Sequence, residues 1–444
     1  MSLLINRNVI SSRQEYLQGN FIMKLKRVLF AILIACGVLN ASAQENKLNN
    51  IIALLTDTTD SELQDPELIE RLRNMPNIEV GKGITFEPKN KLYKMTMRFR
   101  MQNLLALDFD DDFSLTETEA RVKRLRLRFD GYIFSPKLLY SIQLGFTPYD
   151  TKVLPNGNNN LVRDAMIYYM PNPTWNIGFG QTKIKANRAR VNSSSALQFV
   201  DRSIVNSEFN VDRDFGFFGE FYKALVGDFN IAAKGSVTLG EGRNWSNSKN
   251  TGFAYTGRLE LYPFGRFKSL GEVAEGDFQR ENKVKVLVAG AYSFNDNTTR
   301  LKGQNGEIIP SGETRDLQSF FFDFILKYQG FAFYTDFMGR ICDKPKFAGD
   351  DKSYIYTGKG LNIQTSYLFP KNWELALRNS TLFPEKEVRE LVGYKNHNQT
   401  TLGVTKYLIG HSLKIQADAS YNHKSESLVP FNRWELRFQV ELGL

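Results

Sequence analysis

The chain has 444 residues, of which 42% are hydrophobic and 13% aromatic, and it carries a formal net charge of +9. A mean hydropathy of -0.35 excludes a bundle of membrane-spanning helices. The mild positive charge, without a basic recognition motif, argues against a nucleic-acid-binding protein. Two cysteines and three scattered histidines predict neither a disulfide framework nor a metal centre, and we expect no cofactor.

Residues 1–43 predict that the chain is exported. Residues 23–43 read MKLKRVLFAILIACGVLNASA, in which a basic start and a short apolar run precede Ala41-Ser42-Ala43. This arrangement is typical of a secretory signal peptide. We therefore expect cleavage after Ala43 and treat residues 1–22 as an upstream extension. An alternative stays open, because Leu33-Ile34-Ala35-Cys36 resembles a lipobox that would make Cys36 a lipid-modified N-terminus.

Residues 44–90 predict a separate, partly helical segment on the periplasmic side. Apolar residues recur at helical spacing over residues 48–55, and Asp65 followed by Pro66 marks the start of a second helix. One interpretation is a tail packed beneath the main body of the protein. The alternative is a plug or a clasp between subunits.

From about Leu92 onward, apolar and polar residues alternate. The alternation is regular over residues 227–239 and 412–422, which is typical of strands with one dry and one wet face. About sixteen such segments follow one another. Connections are mostly short after even-numbered strands and long after odd-numbered ones, apart from a longer even connection at residues 264–282. This pattern predicts an all-β fold, a transmembrane antiparallel β-barrel over residues 91–444, because closure leaves no open edge in lipid.

The end of the chain supports the barrel interpretation. Residues 431–444 read FNRWELRFQVELGL, and one apolar face runs from Trp434 to Leu444. This segment resembles the C-terminal strand that the barrel-assembly machinery of outer membranes recognises. Such strands usually end in an aromatic residue, so Leu444 is a departure.

Arginines alternate with large apolar residues in residues 124–129, which read R-L-R-L-R-F. An arginine that faces lipid at mid-depth would cost about 2–4 kcal/mol, so these arginines must face the lumen. Strand 1 and strand 16, which close against each other, add further inward arginines. The expected channel-lining arginine wall consists of Arg98, Arg100, Arg124, Arg126, Arg128, Arg433 and Arg437. Such a wall would attract anions; alternatively, its members pair with inward acids and only hold the barrel wall.

The longest connection on the long-loop side is the segment 185–212, after strand 5. We expect it to fold into the channel and to narrow it, and the alternative is an exposed surface loop. The cationic candidates at this constriction are Lys183, Lys185, Arg188, Arg190 and Arg202.

Several short motifs surround this connection. They are A-R-x-x-R-L-R-L-x-x-x-G at residues 120–131, G-Q-x-K at 180–183, Ser193-Ser194, FVDRS at 199–203, R-D-x-G at 213–216 and Y-P-F at 262–264. With these motifs the sequence resembles the phosphate-selective porin O and P family. It departs from the family pattern at two places, with Lys185-Ala186-Asn187 in place of P-x-S and with Asp201 in place of the glutamate of F-x-E-R-S.

The resemblance implies a sixteen-stranded homotrimeric porin, surrounded by the lipid of a bacterial outer membrane. Channels of this family pass anions through arginines and a lysine-bearing constriction. The implied function is therefore passive diffusion of small anionic solutes, such as phosphate or polyphosphate-like compounds.

Other functions stay open on the sequence alone. A general or sugar-preferring porin would guide its solute along aromatic residues, for which Phe218 and Tyr222 are candidates. A structural or adhesive barrel would have its lumen plugged by residues 44–90. A barrel-embedded phospholipase would need a serine, a histidine and an acid, but no such spacing stands out around His397, His411 and His423, and we expect no enzyme.

Overall fold

Sixteen antiparallel strands form one barrel in the computed structural model, which describes residues 77–153, 159–244, 252–310, 312–427 and 431–444. The predicted signal peptide with its cleavage site after Ala43 and the lipobox at Cys36 lie outside the described residues. So do the helical signals of the predicted 44–90 segment, at residues 48–55 and at Asp65-Pro66. The strands are β1 Tyr93–Phe109, β2 Leu115–Ile133, β3 Ser135–Gly145, β4 Val162–Asn172, β5 Trp175–Lys183, β6 Arg213–Ala224, β7 Asn230–Thr238, β8 Ala254–Tyr262, β9 Lys285–Thr298, β10 Arg315–Tyr328, β11 Phe331–Ile341, β12 Gly358–Phe369, β13 Trp373–Pro384, β14 Asn396–Ile409, β15 Leu413–Ser425 and β16 Asn432–Gly443.

The barrel closes because β16 pairs with β1, from Trp434 opposite Phe109 to Gly443 opposite Arg100. Each other strand pairs with its neighbours along the chain. The predicted fold class, an all-β closed barrel with sixteen strands, is therefore confirmed. Closure satisfies the main-chain hydrogen bonds of every strand edge, as a sheet in lipid requires.

A short hairpin before β1 extends this closure. The strands Asn77–Glu79 and Gly83–Phe86 pair with each other, and Ile84 lies opposite Met97 of β1. Since β16 ends opposite Arg100, the hairpin continues the ladder along the part of β1 that the last strand does not cover.

Connections differ in length at the two ends of the barrel, as predicted. Two residues join β10 to β11 and β4 to β5, whereas residues 146–161 join β3 to β4 and residues 184–212 join β5 to β6. The helices of the described residues are short: α1 Arg188–Val191, α2 Ile204–Phe209, α3 Lys386–Val392, and the 3-10 helices Lys268–Val273 and Pro370–Asn372. In the described part of the chain, no helix combines the length and the apolar character needed to span a membrane.

Two connections fold into the lumen and divide its inner face into two sectors. One is residues 184–212, here called the inserted loop, and the other is residues 263–284, the turn-side segment between β8 and β9. Val205 and Phe209 of the inserted loop and Phe267 of the turn-side segment belong to one buried apolar cluster with inward residues of β9 to β11. Those strands therefore place apolar residues on parts of both faces. The inner face from β14 through β16 to β5 is polar and lines the remaining space.

Candidate functional site

The inserted loop crosses the lumen from one wall of the barrel to the other. At its base, Lys183 of β5 lies opposite Arg213 of β6, and the Ile184 main-chain N–H donates to the Asp212 carbonyl at 2.9 Å. Near its middle, Lys414 Nζ donates to the Leu197 carbonyl at 2.7 Å. Because β5 and β15 lie on roughly opposite sides of the barrel, the loop is held at its base by one wall and at its middle by the other.

The turn-side segment supports the inserted loop from below. The Glu275 main-chain N–H donates to the Ala196 carbonyl at 3.2 Å, and the Gln198 main-chain N–H donates to Glu275 Oε2 at 2.9 Å. Lys327 Nζ of β10 donates to the carbonyls of Gly271, Ala274 and Gly276. The two inserted connections are thus fixed to each other and to the wall.

Beside the inserted loop lies a cavity of about 210 Å³, here called the arginine cavity. Eight of its lining side chains are cationic and one is acidic. The lining residues are Arg124, Arg126, Tyr149, Thr151, Arg163, Lys183, Arg190, Ser194, Arg202, Asp212, Arg213, Arg243 and Asn305.

Carboxylates behind the lining neutralise part of this charge. Asp150 accepts from Arg126 Nε at 2.9 Å and lies 2.9 Å from Arg163 Nη1. Asp164 accepts from Arg213 at 3.0 and 3.1 Å. With Asp201 and Asp212, four carboxylates stand against eight cations, which leaves an excess of four positive charges. An excess of fixed charge in a partly dry space attracts counter-ions strongly.

Three of the lining cations, Lys183, Arg202 and Arg243, have no carboxylate within ion-pair distance among the described residues. Lys183 Nζ donates to the carbonyls of Val191 and Asn192, both at 3.1 Å. Arg202 donates to the carbonyls of Ala189 at 2.6 Å and Asn192 at 2.7 Å. Burial, together with the neighbouring Arg190 and Arg124, lowers the pKa of Arg202 to about 9. Main-chain carbonyls therefore position Lys183 and Arg202 at the cavity.

Several guanidiniums of the cavity also keep N–H groups without an acceptor. Nε of Arg124 and Arg163 and Nη1 of Arg213 and Arg243 are buried and have no hydrogen-bond acceptor in the described part of the chain. Buried donors without partners cost free energy. The guanidiniums of the cavity lining offer paired N–H donors that match phosphate or carboxylate oxygens, so the lining suits an anion.

A β-bulge in β2 adds a cation that alternation does not predict. Gln102 of β1 lies opposite Arg124, but the next residue, Asn103, lies opposite Val122. Lys123 is therefore the extra residue, and both Lys123 and Arg124 are buried in the lumen. Both contact Asp201 of the inserted loop. The bulge thus fixes the loop with two adjacent cations.

The predicted arginine wall is interrupted. Arg124 and Arg126 line the arginine cavity, whereas Arg100 pairs with Glu441 at 2.5 Å. Arg437 binds Asp418 through two nitrogens at 2.7 and 3.1 Å.

The remaining three members lie near the barrel ends. Arg98 and Arg128 share Asp130 toward the short-turn end. Arg433 is exposed at the long-loop end, with its guanidinium carbon 4.7 Å from the centre of the Phe431 ring. Most of the predicted wall is paired with acids, and the charge excess lies on the β2–β6 side.

The predicted constriction residues fall into two groups. Lys183, Arg190 and Arg202 line the arginine cavity. Lys185 instead lies 3.9 Å from Glu220. Arg188 donates to the Glu272 carbonyl at 2.6 Å and holds the turn-side segment.

Three further cavity cations were not among the predicted site residues. Arg163 lies in a strand that has apolar residues on both faces, so alternation does not predict which way its side chain points. Arg213 belongs to the R-D-x-G motif, which by itself indicates no role for the arginine, and Arg243 lies in a connection without a pattern. Arg213 pairs with Asp164. A search for inward-facing cations that could pair with inward-facing acids would therefore have identified Arg213.

Residues expected of other functions are placed elsewhere. Phe218 belongs to the buried apolar cluster, and Tyr222 packs against it. His411 packs beside Phe278 and Tyr407. Among the described residues, no group of three or more histidines, cysteines or acids could hold a metal ion.

Comparisons with known proteins found one matching family and several similar solved structures. The sequence profile of the family described as "Phosphate-selective porin O and P" matches residues 95–301, and no curated protein matches the chain. Among solved structures, the chain is similar to the outer membrane channel DcaP of Acinetobacter baumannii, with 11% identity, a TM-score of 0.47, and coverage of 81% of this chain and 100% of that chain. It is similar to the trimer form of OmpT of Vibrio cholerae (11%, 0.47, 78% and 99%) and to OmpF of Salmonella typhi (11%, 0.49, 81% and 100%).

The matched residues run from β1 into the connection after β9 and contain every cation that lines the arginine cavity. The closed barrel and the family match place the chain in the bacterial outer membrane as a porin. The match over residues 95–301 is consistent with the phosphate-selective porin O and P family, which the motifs predicted.

Proposed function

We propose that this porin allows passive diffusion of small anions and that the arginine cavity selects them. The observation that carries the proposal is the excess of four positive charges around the cavity, on side chains that are themselves held in place. Phosphate and phosphate-like solutes fit best, because several guanidiniums converge and each offers paired N–H donors.

Further cations extend from the cavity toward the short-turn end. Arg100 of β1 lies directly opposite Arg126 of β2. Arg98 lies opposite Arg128, two residues further along these strands. These residues are paired with Glu441 and Asp130, so their net field is weaker than that of the cavity. A weaker field toward the exit would favour release, which conduction requires.

The family resemblance also supports a homotrimer inserted by the barrel-assembly machinery. Sedimentation of the purified protein in detergent would test this state. A monomeric mass would remove the trimer from the proposal without affecting the role of the cavity.

The central test is the reversal potential of single channels in planar bilayers under a chloride salt gradient, with the chain that starts at Gln44. We expect an anion-selective reversal potential, and we expect added inorganic phosphate to block the chloride current. A cation-selective or unselective current would contradict the proposal. The lack of any current would favour a barrel whose lumen is closed.

A further inference from the structure

A second cavity lies beside the arginine cavity, toward the long-loop end. It has a volume of about 430 Å³, twice that of the arginine cavity, and is here called the outer vestibule. Tyr149, Arg190, Arg202 and Asn305 line both spaces. The two cavities are therefore neighbours on either side of these four side chains.

The outer vestibule has a different chemistry from the arginine cavity. Amides and a hydroxyl supply much of its lining, from Asn206, Ser207, Asn210, Asn305 and Gln399. Its three cations face two carboxylates, and one of these, Glu435, lies 3.2 Å from Arg437. The outer vestibule is thus nearly neutral and rich in hydrogen-bonding groups, which a small inorganic anion does not need.

The amides are held in fixed orientations. Asn305 Nδ2 donates to Asn210 Oδ1 at 3.1 Å, and Asn210 Nδ2 donates to the Asn206 carbonyl at 2.5 Å. Gln399 Nε2 donates to Asn422 Oδ1 at 3.1 Å, and its carbonyl oxygen has no partner within the described ranges. Preorganised polar groups favour a ligand that can both donate and accept, and they reject an apolar body that would leave them unsatisfied.

We propose that the physiological solutes include organic phosphates with a hydroxylated body, of the size of a hexose monophosphate. The phosphate group binds in the arginine cavity and the hydroxyl groups bind in the outer vestibule, where each hydroxyl can donate and accept. This inference rests on the proposed function, since it requires the arginine cavity to bind the phosphate group.

The test compares the block of chloride current by glucose 6-phosphate, inorganic phosphate and glucose, at one alkaline pH at which both phosphates are dianions. We expect the half-blocking concentration of glucose 6-phosphate to be about tenfold lower than that of inorganic phosphate, as one or two added hydrogen bonds would give. We expect glucose alone to block poorly, because it lacks the group that the arginine cavity binds.

Two variants locate the effect. Ser207→Ala removes an exposed hydroxyl, and Gln399→Leu removes an amide with little change in size. Each should raise the half-blocking concentration of glucose 6-phosphate about fivefold and leave that of inorganic phosphate unchanged. Ser195→Ala, in the same inserted loop but outside both cavities, is the matched control.

The outcomes separate the two proposals. If the wild-type channel is anion-selective and blocked by phosphate, but glucose 6-phosphate blocks no better, the inference about the outer vestibule is wrong and the anion porin stands. Equal shifts for both phosphates in the Ser207 and Gln399 variants would also overturn it. If neither phosphate blocks an unselective current, the proposed function itself fails.

Discussion

Lys183 and Arg213 lie directly opposite each other on β5 and β6, at the base of the inserted loop. Like charges at such a cross-strand position destabilise a sheet. Here Asp164 compensates Arg213, whereas Lys183 is held by main-chain carbonyls. The two residues belong to the G-Q-x-K and R-D-x-G motifs, so the barrel brings two sequence-distant motifs together at one wall of the arginine cavity.

Replacing Lys183 should weaken anion binding without unfolding the barrel. We expect Lys183→Gln to raise the half-blocking concentration of phosphate by about tenfold or more, since a hydrogen bond to a charged group is worth roughly 1.5–3 kcal/mol. Lys185→Gln is the matched control, because Lys185 does not line the arginine cavity. Equal effects of the two variants on phosphate block would contradict the assignment.

Asp150 should act by positioning arginines rather than by its charge. It accepts from Arg126 and lies within ion-pair distance of Arg163, and its main-chain carbonyl accepts from Arg243 at 2.6 Å. Asp150→Asn adds one net positive charge, so charge alone predicts tighter phosphate block.

We expect the opposite result, a phosphate block weakened about fivefold or more, because a neutral amide holds guanidiniums less firmly. Asp150→Glu should restore part of the wild-type affinity. The thermal unfolding temperature of each variant, measured by circular dichroism in detergent, separates lost positioning from lost folding. A tighter block in Asp150→Asn would show that its charge is what matters.

Lys327 should be important for the stability of the turn-side segment. Its buried ammonium donates to the carbonyls of Gly271, Ala274 and Gly276. Lys327→Met leaves these acceptors without that donor, at a cost of roughly 1–3 kcal/mol for each carbonyl that finds no other partner. We expect a lower unfolding midpoint in urea and noisier single-channel current, whereas the exposed control Lys359→Met should change neither. A wild-type midpoint for Lys327→Met would refute this role.

The sequence alone predicted the orientation of two arginines, the number of strands and the relative lengths of the connections. Alternation over residues 124–129 predicted the orientation of Arg124 and Arg126, because arginine cannot face lipid cheaply. The strand count and the loop lengths follow from the same periodicity. The longest long-side connection was predicted to enter the lumen, and the inserted loop does so.

Other features depend on tertiary packing and were not readable. The inserted loop covers part of the inner wall, so Leu287 and Phe321 face inward although they are apolar, and alternation is lost there. The bulge at Lys123 shifts the register by one residue, which a periodic reading cannot anticipate. Acids such as Glu441 and Asp418 neutralise part of the predicted arginine wall, and only the barrel shows which arginine each acid meets.

The ion pairs of Asp201 and Asp212, which hold the inserted loop, should stay intact in mild acid. Burial alone would raise the pKa of Asp212, but the Arg190 and Arg213 guanidiniums lower it well below its usual value. The pKa of Asp201 is lowered in the same way by Lys123 and Arg124. A carboxyl whose pKa is depressed by folding contributes stability above its unfolded pKa of about 4, and this contribution is lost as the pH falls through the folded pKa.

We therefore expect the reversal potential in a chloride gradient to be the same at about pH 5 as at about pH 7.5. Chloride suits this measurement because, unlike phosphate, it carries the same charge at both pH values. The variant Asp212→Asn, which lacks the Arg190 ion pair at every pH, should be less stable at neutral pH. A selectivity that falls between pH 7.5 and pH 5 in the wild-type channel would contradict the assignment.

The most direct test of the account compares two arginines of one strand. Arg126 and Arg128 both face the lumen from β2, but Arg126 lines the arginine cavity and Arg128 pairs with Asp130 outside it. The measurement is the half-blocking concentration of phosphate on chloride current for Arg126→Gln and Arg128→Gln. The account predicts an increase of about tenfold or more for Arg126→Gln and little change for Arg128→Gln. Equal changes would mean that selectivity is spread along the arginine wall, and no change in either variant would contradict the role of the arginine cavity.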